Sequence, residues 1–325
     1  MTHPLTPFTS TNLVMTFHVV PSAAWFRSAL QTIGRVYRFI SADDIRAYFC
    51  EDRRFNGCCH ICFDDGERSF HDLALPVLQD LAIPATLFVS PGVLGSERNY
   101  WFQEVRFLRK QVGDATIKHE IANLLGWDDA RVAPFSVNSL LKSLRLAEIW
   151  QVIEATRQAH RLPSAPRYNI SQNELQALAG RELLTIGAHT MTHPILQNET
   201  DDESARQIRE SIEALAGLIG RPVDTFAYPN GATGLDYGHR EQATLSACGI
   251  KLAFATDTGF FGHGTNPLGV PRAVLEAGDS SARIMSKLVL IPAWDRLRAG
   301  REGKERKQLR QQKDLPGGPS TGRSR

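Results

Sequence analysis

The sequence of 325 residues predicts an α/β protein whose seven or eight parallel strands close into a barrel. Short β-rich segments alternate with segments of helical periodicity, which implies parallel strands joined by right-handed crossovers. The number of strands suits a closed barrel better than an open sheet, and no Gly-x-Gly-x-x-Gly motif follows the first strand. The hydrophobic content of 42% is ample for a large core.

Strands are predicted from short runs of β-branched and aromatic residues, and helices from apolar residues that recur every three or four positions. Residues 13–20 form the first predicted strand, and Ser41 caps a helix that continues through Phe49. Pro84 opens the strand at 85–89. The other strands are predicted at 36–40, 59–63, 183–188, 224–228, 250–256 and 270–275, and the other helices at 69–81, 171–178, 202–219, 240–248 and 281–291.

The alternation of strands and helices is interrupted between about residues 100 and 165. Three helices are predicted there, at 100–112, 115–125 and 140–160, with no strand between them. We interpret this stretch as a helical insertion into one domain that covers residues 1–298.

The C-terminal segment, residues 299–325, differs in composition from the rest of the chain. It holds eight Lys/Arg and three Asp/Glu, a surplus of +5, and its only apolar residues are Ala299, Leu309 and Leu315. Such a segment has too little apolar surface to order itself by burial, so we predict a basic, disordered tail.

Composition also excludes several classes of protein. Subtracting the +5 of the tail from the net charge of +2 leaves −3 for residues 1–298, so no nucleic-acid partner is expected. No apolar run reaches the length of a transmembrane helix, and residues 1–10 lack the pattern of a secretory signal. We therefore expect a cytoplasmic protein, whose oligomeric state the sequence does not indicate.

Two adjacent aspartates, Asp64 and Asp65, follow the strand at 59–63, and Gly66 lets the chain turn sharply out of that strand. Adjacent carboxylates repel each other and are costly to desolvate, so a fold that places both there usually supplies a cation or a proton. Asp-Asp-Gly alone is more often an ordinary surface turn than a metal site. Whether the motif marks a metal site depends on which side chains the ends of other strands place beside it.

Two histidines, His189 and His193, follow the strand at 183–188. If the segment forms a helical turn, both rings share one face, as in many zinc sites. With a carboxylate from another strand end they would make three protein ligands and leave a fourth position for water. That pattern is typical of a catalytic rather than a structural metal site.

Three segments together resemble the first three motifs of the polysaccharide deacetylase family of carbohydrate esterases. They are residues 63–66 (Phe-Asp-Asp-Gly), 189–193 (His-Thr-x-x-His) and 226–231 (Phe-Ala-Tyr-Pro-Asn-Gly). The similarity covers about residues 13–290, and the helical insertion is less typical of the family.

This resemblance implies a distorted (β/α) barrel and a divalent metal ion, usually Zn²⁺, held by Asp65, His189 and His193. It also implies that Asp64 is the general base, which takes a proton from the attacking water. The implied substrate is an acetylated sugar, oligosaccharide or glycolipid of the N-acetylglucosamine type.

The same resemblance implies a place where the negative charge of the tetrahedral intermediate is stabilised. The cation and a backbone N–H in the loop after Tyr228 would share this charge. Tyr228 and Asn230 are therefore the candidate residues for contact with the substrate.

The chain departs from the family pattern at two positions. Many members carry an arginine where this chain has Ala227, and a Leu-x-His near the C-terminus, whereas residues 270–290 contain no histidine. Arg272 is a candidate replacement for the arginine that orients the base, although a structural arginine would fit the sequence equally well.

His18 is the candidate for the missing general acid. A subset of the family that deacetylates N-acetylglucosamine polymers begins with a strand that ends in Tyr-His, and residues 16–19 (Thr-Phe-His-Val) resemble it. The histidine of that strand serves as the acid, so the resemblance implies this role for His18, which we prefer to that of a structural histidine. An amide substrate makes the role demanding, because an amine leaves poorly unless it is protonated.

Two other functions are compatible with the sequence. The same barrel could hydrolyse another C–N bond, such as that of a cyclic amide or a small nitrogenous metabolite, and the two departures leave room for this. A glycan-binding protein without catalysis is the second alternative. The presence of Asp64 and all three predicted ligands argues against it.

Overall fold

The computed structural model describes residues 11–51, 53–288 and 300–313 of the chain. Each strand in these ranges overlaps a predicted strand and extends at most one residue beyond it, so the predicted alternation is confirmed. They are β1 Leu13–Phe17, β2 Arg38–Phe39, β3 Cys58–Phe63, β4 Ala85–Val89, β5 Leu184–Ala188, β6 Thr225–Ala227, β7 Leu252–Phe254 and β8 Ala273–Val274.

The strands form one parallel sheet in the order β7-β6-β5-β4-β3-β1-β8, with β2 paired beside the start of β3. Its two ends meet just before β8. There the N–H of Val270 donates to the carbonyl of Ala253 at 2.9 Å, and the N–H of Ala255 donates to the carbonyl of Val270 at 2.8 Å. The N–H of Arg272 also donates to the carbonyl of Asp257 at 3.0 Å, but no strand pairing joins β7 directly to β8 among the described residues, so the barrel is distorted.

Helices surround the sheet and fill the insertion. They are α1 Ala23–Gly34, α2 Ala42–Cys50, α3 Leu75–Asp80 after a π-helical turn Phe70–Ala74, α4 Pro91–Leu94, α5 Trp101–Leu125, α6 Asp129–Val132, α7 Val137–Leu141, α8 Leu146–Ala159, α9 Gln172–Leu178, α10 Asp201–Ile219, α11 His239–Ala247, α12 at 281–288 and α13 Gly300–Lys313. No described helix combines the length and the apolar character that crossing a membrane requires.

The helices differ from the prediction in several places. Helices α1, α4 and α6 correspond to no predicted helix. The helix expected at 140–160 is divided, because the side-chain amide of Asn198 binds the carbonyls of Lys142 and Leu144 between α7 and α8. The final residues of the helix expected at 281–291 lie outside the described residues.

Both faces of the sheet are buried, as in other parallel sheets. Alternate side chains of a strand point to opposite faces, so Met15 and Phe17 pack toward the helices, whereas Val14 packs inside the barrel with Phe88 and Phe254. This packing fixes the register of the strands and therefore the direction of the residues at their ends.

The insertion has its own apolar core. Trp101, Ile121, Leu140 and Ile153 pack together with other side chains of helices α5, α7 and α8. Ile195, which follows the predicted metal motif, packs in the same cluster and links the insertion to the barrel.

The prediction of a disordered C-terminal segment is wrong for residues 300–313, which form helix α13. Leu309 is fully buried in the core of the insertion, and a carboxylate oxygen of Glu305 accepts from the N–H of Ser136 at 2.9 Å. The helix is held by polar contacts and one apolar side chain, which no amphipathic pattern reveals. Residues 314–325 of the predicted tail lie outside the described residues.

Gly187 in β5 provides a test of this packing. A Cβ atom at this position would lie 2.4 Å from Cε1 of Phe88 and 2.8 Å from Oγ1 of Thr225. Gly187→Ala is therefore expected to lower the free energy of unfolding by about 1–3 kcal/mol, measured by urea denaturation. Gly217→Ala in α10 is the matched control, because a Cβ atom there has no neighbour within 4 Å. Equal stability of the two variants would contradict the packing.

Candidate active site

The candidate site lies where several strands end. Asp64 and Asp65 follow β3, His189 follows β5, and His18 follows β1. The carboxyl ends of parallel strands point to the same end of a barrel, so these side chains meet although they are far apart in sequence. The three strands that carry them are joined through β1-β3, β3-β4 and β4-β5 pairing.

Asp65, His189 and His193 form a compact buried group. The Nε2 atoms of His189 and His193 lie 3.7 and 3.6 Å from Oδ1 of Asp65, and one ligand atom from each residue lies within 4.8 Å of the others. Ligand atoms placed about 2.0–2.2 Å from a tetrahedral Zn²⁺ are separated by somewhat less than 4 Å. Oδ1 of Asp65 is buried without a hydrogen-bond partner, as expected for an atom that ligates an ion. The residues present therefore fit a divalent metal.

The protonation states of the three side chains also suit a cation. Burial lowers the pKa of His189 to about 4 and that of His193 well below its usual value, which favours the neutral rings that ligate metals. Burial raises the pKa of Asp65 well above its ordinary value, and the carboxylate of Asp64 adds to this. A positive charge among these groups would stabilise the ionised form of Asp65.

The orientation of the rings is set by their other contacts. Nδ1 of His189 lies 2.6 Å from the carbonyl oxygen of Ala227, to which it donates, so Nε2 is directed to the centre of the group. The ring of His193 packs against Tyr100 and Phe102 of the insertion, with centroid separations of 5.4 and 5.0 Å. The indole of Trp101 donates to the carbonyl of His193 at 3.0 Å.

The sequence suggested a helical turn that would put both histidines on one face. The segment does not form such a turn. Thr190 and His193 both adopt left-handed backbone conformations, with φ of 63° and 61°, and the N–H of His193 donates to Oγ1 of Thr190 at 3.0 Å. This local turn brings the rings to a centroid separation of 4.8 Å.

Backbone strain is concentrated in this part of the molecule. Six non-glycine residues among the described ones have a positive φ, and four of them are Asp65, Thr190, His193 and Asn230. A left-handed conformation is unfavourable for most L-residues, so the surrounding structure must hold it. Such strain is common where side chains are fixed for a chemical role.

Arg272 binds Asp64 in a bidentate ion pair. The two guanidinium nitrogens lie 2.8 and 2.9 Å from the two carboxylate oxygens, and both side chains are at most 3% exposed. Nε of Arg272 donates to the carbonyl of Ala255 at 2.9 Å, which fixes the plane of the guanidinium. Burial alone would raise the pKa of Asp64, but the charge of Arg272 outweighs it and holds this pKa well below its usual range.

His18 lies at the mouth of the site. Its Nε2 atom is 3.8 Å from Oδ2 of Asp64, and its side chain is 43% exposed. Both residues line the same pocket, and His18 is the more exposed of the two.

Of the two candidate substrate residues, only Asn230 lines the pocket. Tyr228 is fully buried, stacks on Tyr237 with a centroid separation of 3.6 Å, and donates its hydroxyl to the carbonyl of Leu268 at 2.8 Å. Its N–H donates to the carbonyl of Phe254 at 3.1 Å. The assignment of Tyr228 to substrate contact is therefore wrong, because its polar groups are already bound within the protein core.

The pocket has a volume of roughly 540 Å³, within the range of small-molecule sites. Phe102 and Arg106 of the insertion form one wall, and Glu302, Gly303 and Arg306 of α13 contribute to another. Neither wall is predicted from the sequence. The insertion carries no motif, and α13 lacks an apolar stripe that would have predicted docking.

Comparisons with known proteins agree with this geometry. The model of the family described as polysaccharide deacetylase matches residues 53–253. The comparison with curated proteins finds no match.

Similar solved structures include three deacetylases or related proteins. IcaB from Ammonifex degensii is 18% identical, with a TM-score of 0.57 over 86% of this chain and 97% of that chain. The deacetylase PplD of Streptococcus pyogenes, in complex with acetate, is 15% identical, with a TM-score of 0.55 over 87% and 99%. The deacetylase domain of BpsB from Bordetella bronchiseptica is 11% identical, with a TM-score of 0.55 over 84% and 98%. At these identities the likeness shows a shared fold.

Removal of a predicted ligand tests the metal centre. His189→Ala is expected to abolish retention of zinc after loading and desalting, measured by elemental analysis, because the buried group loses one of its nitrogens. His71→Ala is the control, since His71 lies on the surface beside Asp72. Full zinc occupancy in His189→Ala, with the fold intact by circular dichroism, would contradict the assignment.

Proposed function

Because this chain belongs to the polysaccharide deacetylase family, and is therefore a hydrolase of the C–N bond in sugar acetyl groups, we propose that it is a zinc-dependent N-deacetylase. Its substrate would be an N-acetylglucosamine-type sugar in a glycan or glycolipid. The observation that carries this proposal is the bidentate Arg272–Asp64 pair beside the group Asp65, His189 and His193.

In this proposal Asp65, His189 and His193 hold the metal ion. Three protein ligands leave a position open for water or substrate, the arrangement of catalytic rather than structural zinc. When bound, the ion would lower the pKa of a water molecule and polarise the acetyl carbonyl. The aromatic contacts of His193 exclude solvent from one side of the group.

Asp64 acts as the general base. The ion pair with Arg272 keeps its carboxylate ionised at neutral pH and fixes the directions of both oxygens. Asp65 is committed to the metal, so its neighbour is the carboxylate that can accept a proton from the attacking water.

Asn230 contributes its backbone N–H to the developing oxyanion. The structure gives this N–H no acceptor among the described residues, and the left-handed φ of 59° at Asn230 sets its direction. The adjacent side-chain amide nitrogen is buried without a partner in the same region. Donors held in place before the reaction stabilise charge at little cost in reorganisation.

His18 donates the proton that the leaving amine requires. When the C–N bond of the tetrahedral intermediate breaks, the electron pair stays on the sugar nitrogen, which takes the proton from the imidazolium of His18. The half-exposed ring lies 3.8 Å from Asp64 Oδ2 and lines the same pocket, which supports this role.

Acetate release tests the proposed function directly. The zinc-loaded protein is expected to release acetate from N-acetylated chitooligosaccharides and to leave one free amine for each acetate, measured by enzymatic acetate assay and mass spectrometry. Asp64→Asn should retain zinc and lose nearly all activity, because its amide cannot accept the proton. Ring opening of a cyclic imide without acetate release would instead identify the enzyme as a hydrolase of another C–N bond.

A second experiment isolates the general acid. His18→Ala is expected to lower kcat for an N-acetyl substrate by roughly 10²–10⁴-fold while zinc content stays unchanged. An O-acetyl substrate is the matched comparison, since an alkoxide leaves with less need of a proton and should be affected much less. Near-normal deacetylation of the amide by His18→Ala would remove this residue from the mechanism.

A further inference from the structure

Helix α13 is part of the pocket as well as of the fold. Its residues Glu302, Gly303 and Arg306 line the pocket together with Asn138 and Lys142 of the insertion. Nζ of Lys142, which follows α7, lies 2.8 Å from Oε1 of Glu302. The helix therefore bridges the insertion and the loop that follows β6.

Arg306 and Arg310 both connect α13 to that loop. Arg310 donates to the carbonyls of Gly234 and Leu235 at 3.2 and 2.8 Å, and Arg306 is the more deeply buried of the two. The guanidinium of Arg306 lies 2.7 Å from Oδ1 of Asp236, and both side chains are only 2% exposed. It also donates to the carbonyls of Leu235 at 3.0 Å and Lys142 at 3.3 Å. A buried guanidinium requires such a set of acceptors, so the position of the loop and that of the helix depend on each other.

Asp236 connects Arg306 to the part of the loop that contains Asn230, which lines the pocket. The other carboxylate oxygen of Asp236 accepts from the N–H of Ala232 at 2.9 Å, and the N–H of Asp236 donates to the carbonyl of Ala232 at 2.8 Å. Ala232 is two residues beyond Asn230, whose carbonyl accepts from the hydroxyl of Thr256. The strained conformation of Asn230 is therefore held by Thr256 and, through Ala232, by Asp236.

We propose that Arg306 is a positioning residue of the active site, which fixes the loop 230–237 through Asp236 so that the N–H of Asn230 faces the pocket. The effect on turnover rests on the proposed deacetylase function, whereas the effect on the loop does not. The C-terminal helix thereby becomes a component of the catalytic site, although it lies outside the family match at residues 53–253.

The test compares Arg306→Gln with Lys307→Gln in the full-length protein. Lys307 is the adjacent exposed residue, so the control removes the same charge from the same helix without touching the loop. In Arg306→Gln, the amides of residues 232–236 are expected to exchange with deuterium faster than in wild type. The value of kcat should fall by about 10- to 100-fold, because small misplacement of an oxyanion donor is costly, while KM and zinc content change little. Lys307→Gln should match wild type in every readout.

Two further variants separate positioning from a general loss of structure. Arg306→Lys keeps the charge beside Asp236 but not the full set of donors, so its kcat should lie between those of wild type and Arg306→Gln. Asp236→Asn removes the charge from the loop side and should reproduce the exchange and kcat effects even if Arg306→Gln fails to fold. The double variant should be no worse than the more impaired single variant, since both act on one interaction.

Unchanged exchange at residues 232–236 in both Arg306→Gln and Asp236→Asn would overturn the proposal. A rise in KM or a loss of zinc with kcat preserved would do the same, because it would indicate a structural or binding role. If the wild-type protein released no acetate from any sugar, the proposed function would be wrong. The exchange measurements would then still decide whether Arg306 positions the loop.

Discussion

The structure depends on the solution to one electrostatic problem, the burial of two adjacent carboxylates at the end of β3. Asp64 and Asp65 are 3% and 2% exposed, so neither is stabilised by bulk water. Arg272 neutralises the first through two hydrogen bonds, and the second faces two neutral imidazoles. The two acids thus acquire different environments. One stays ionised, and the other is suited to a cation, which is the division of roles that metal-assisted hydrolysis requires.

The arginine of this site comes from a part of the chain far from the family position. Arg272 lies 208 residues beyond Asp64, directly before β8, whereas the family pattern has an arginine at the position of Ala227. In this chain the carbonyl of Ala227 accepts from His189, and its small side chain packs inside the barrel. The Asp64 carboxylate can pair with a guanidinium from any segment that reaches it. Because the ends of the sheet meet between β7 and β8, the residue directly before the last strand lies close enough to do so.

The pocket around these residues is built by segments that carry no motif. The insertion supplies Trp101, which binds the carbonyl of His193, and Phe102, which packs against its ring. Helix α13 supplies further residues that line the pocket. The barrel therefore provides the reactive groups, and the added helices set the shape and solvent access of the space in front of them. Substrate selectivity in this protein is expected to arise from these added helices.

The sequence by itself determined the alternation of strands and helices, because the period of apolar residues is a local property of the chain. It also determined that Asp65, His189 and His193 would be near one another, since parallel strands bring their carboxyl ends to the same end of a barrel. Only the tertiary structure decided that Arg272 pairs with Asp64, that Tyr228 is a core residue, and that residues 300–313 are ordered. Each of these outcomes depends on a hydrogen bond or an ion pair between residues distant in sequence, and no local pattern records which distant partner will be close enough to make it.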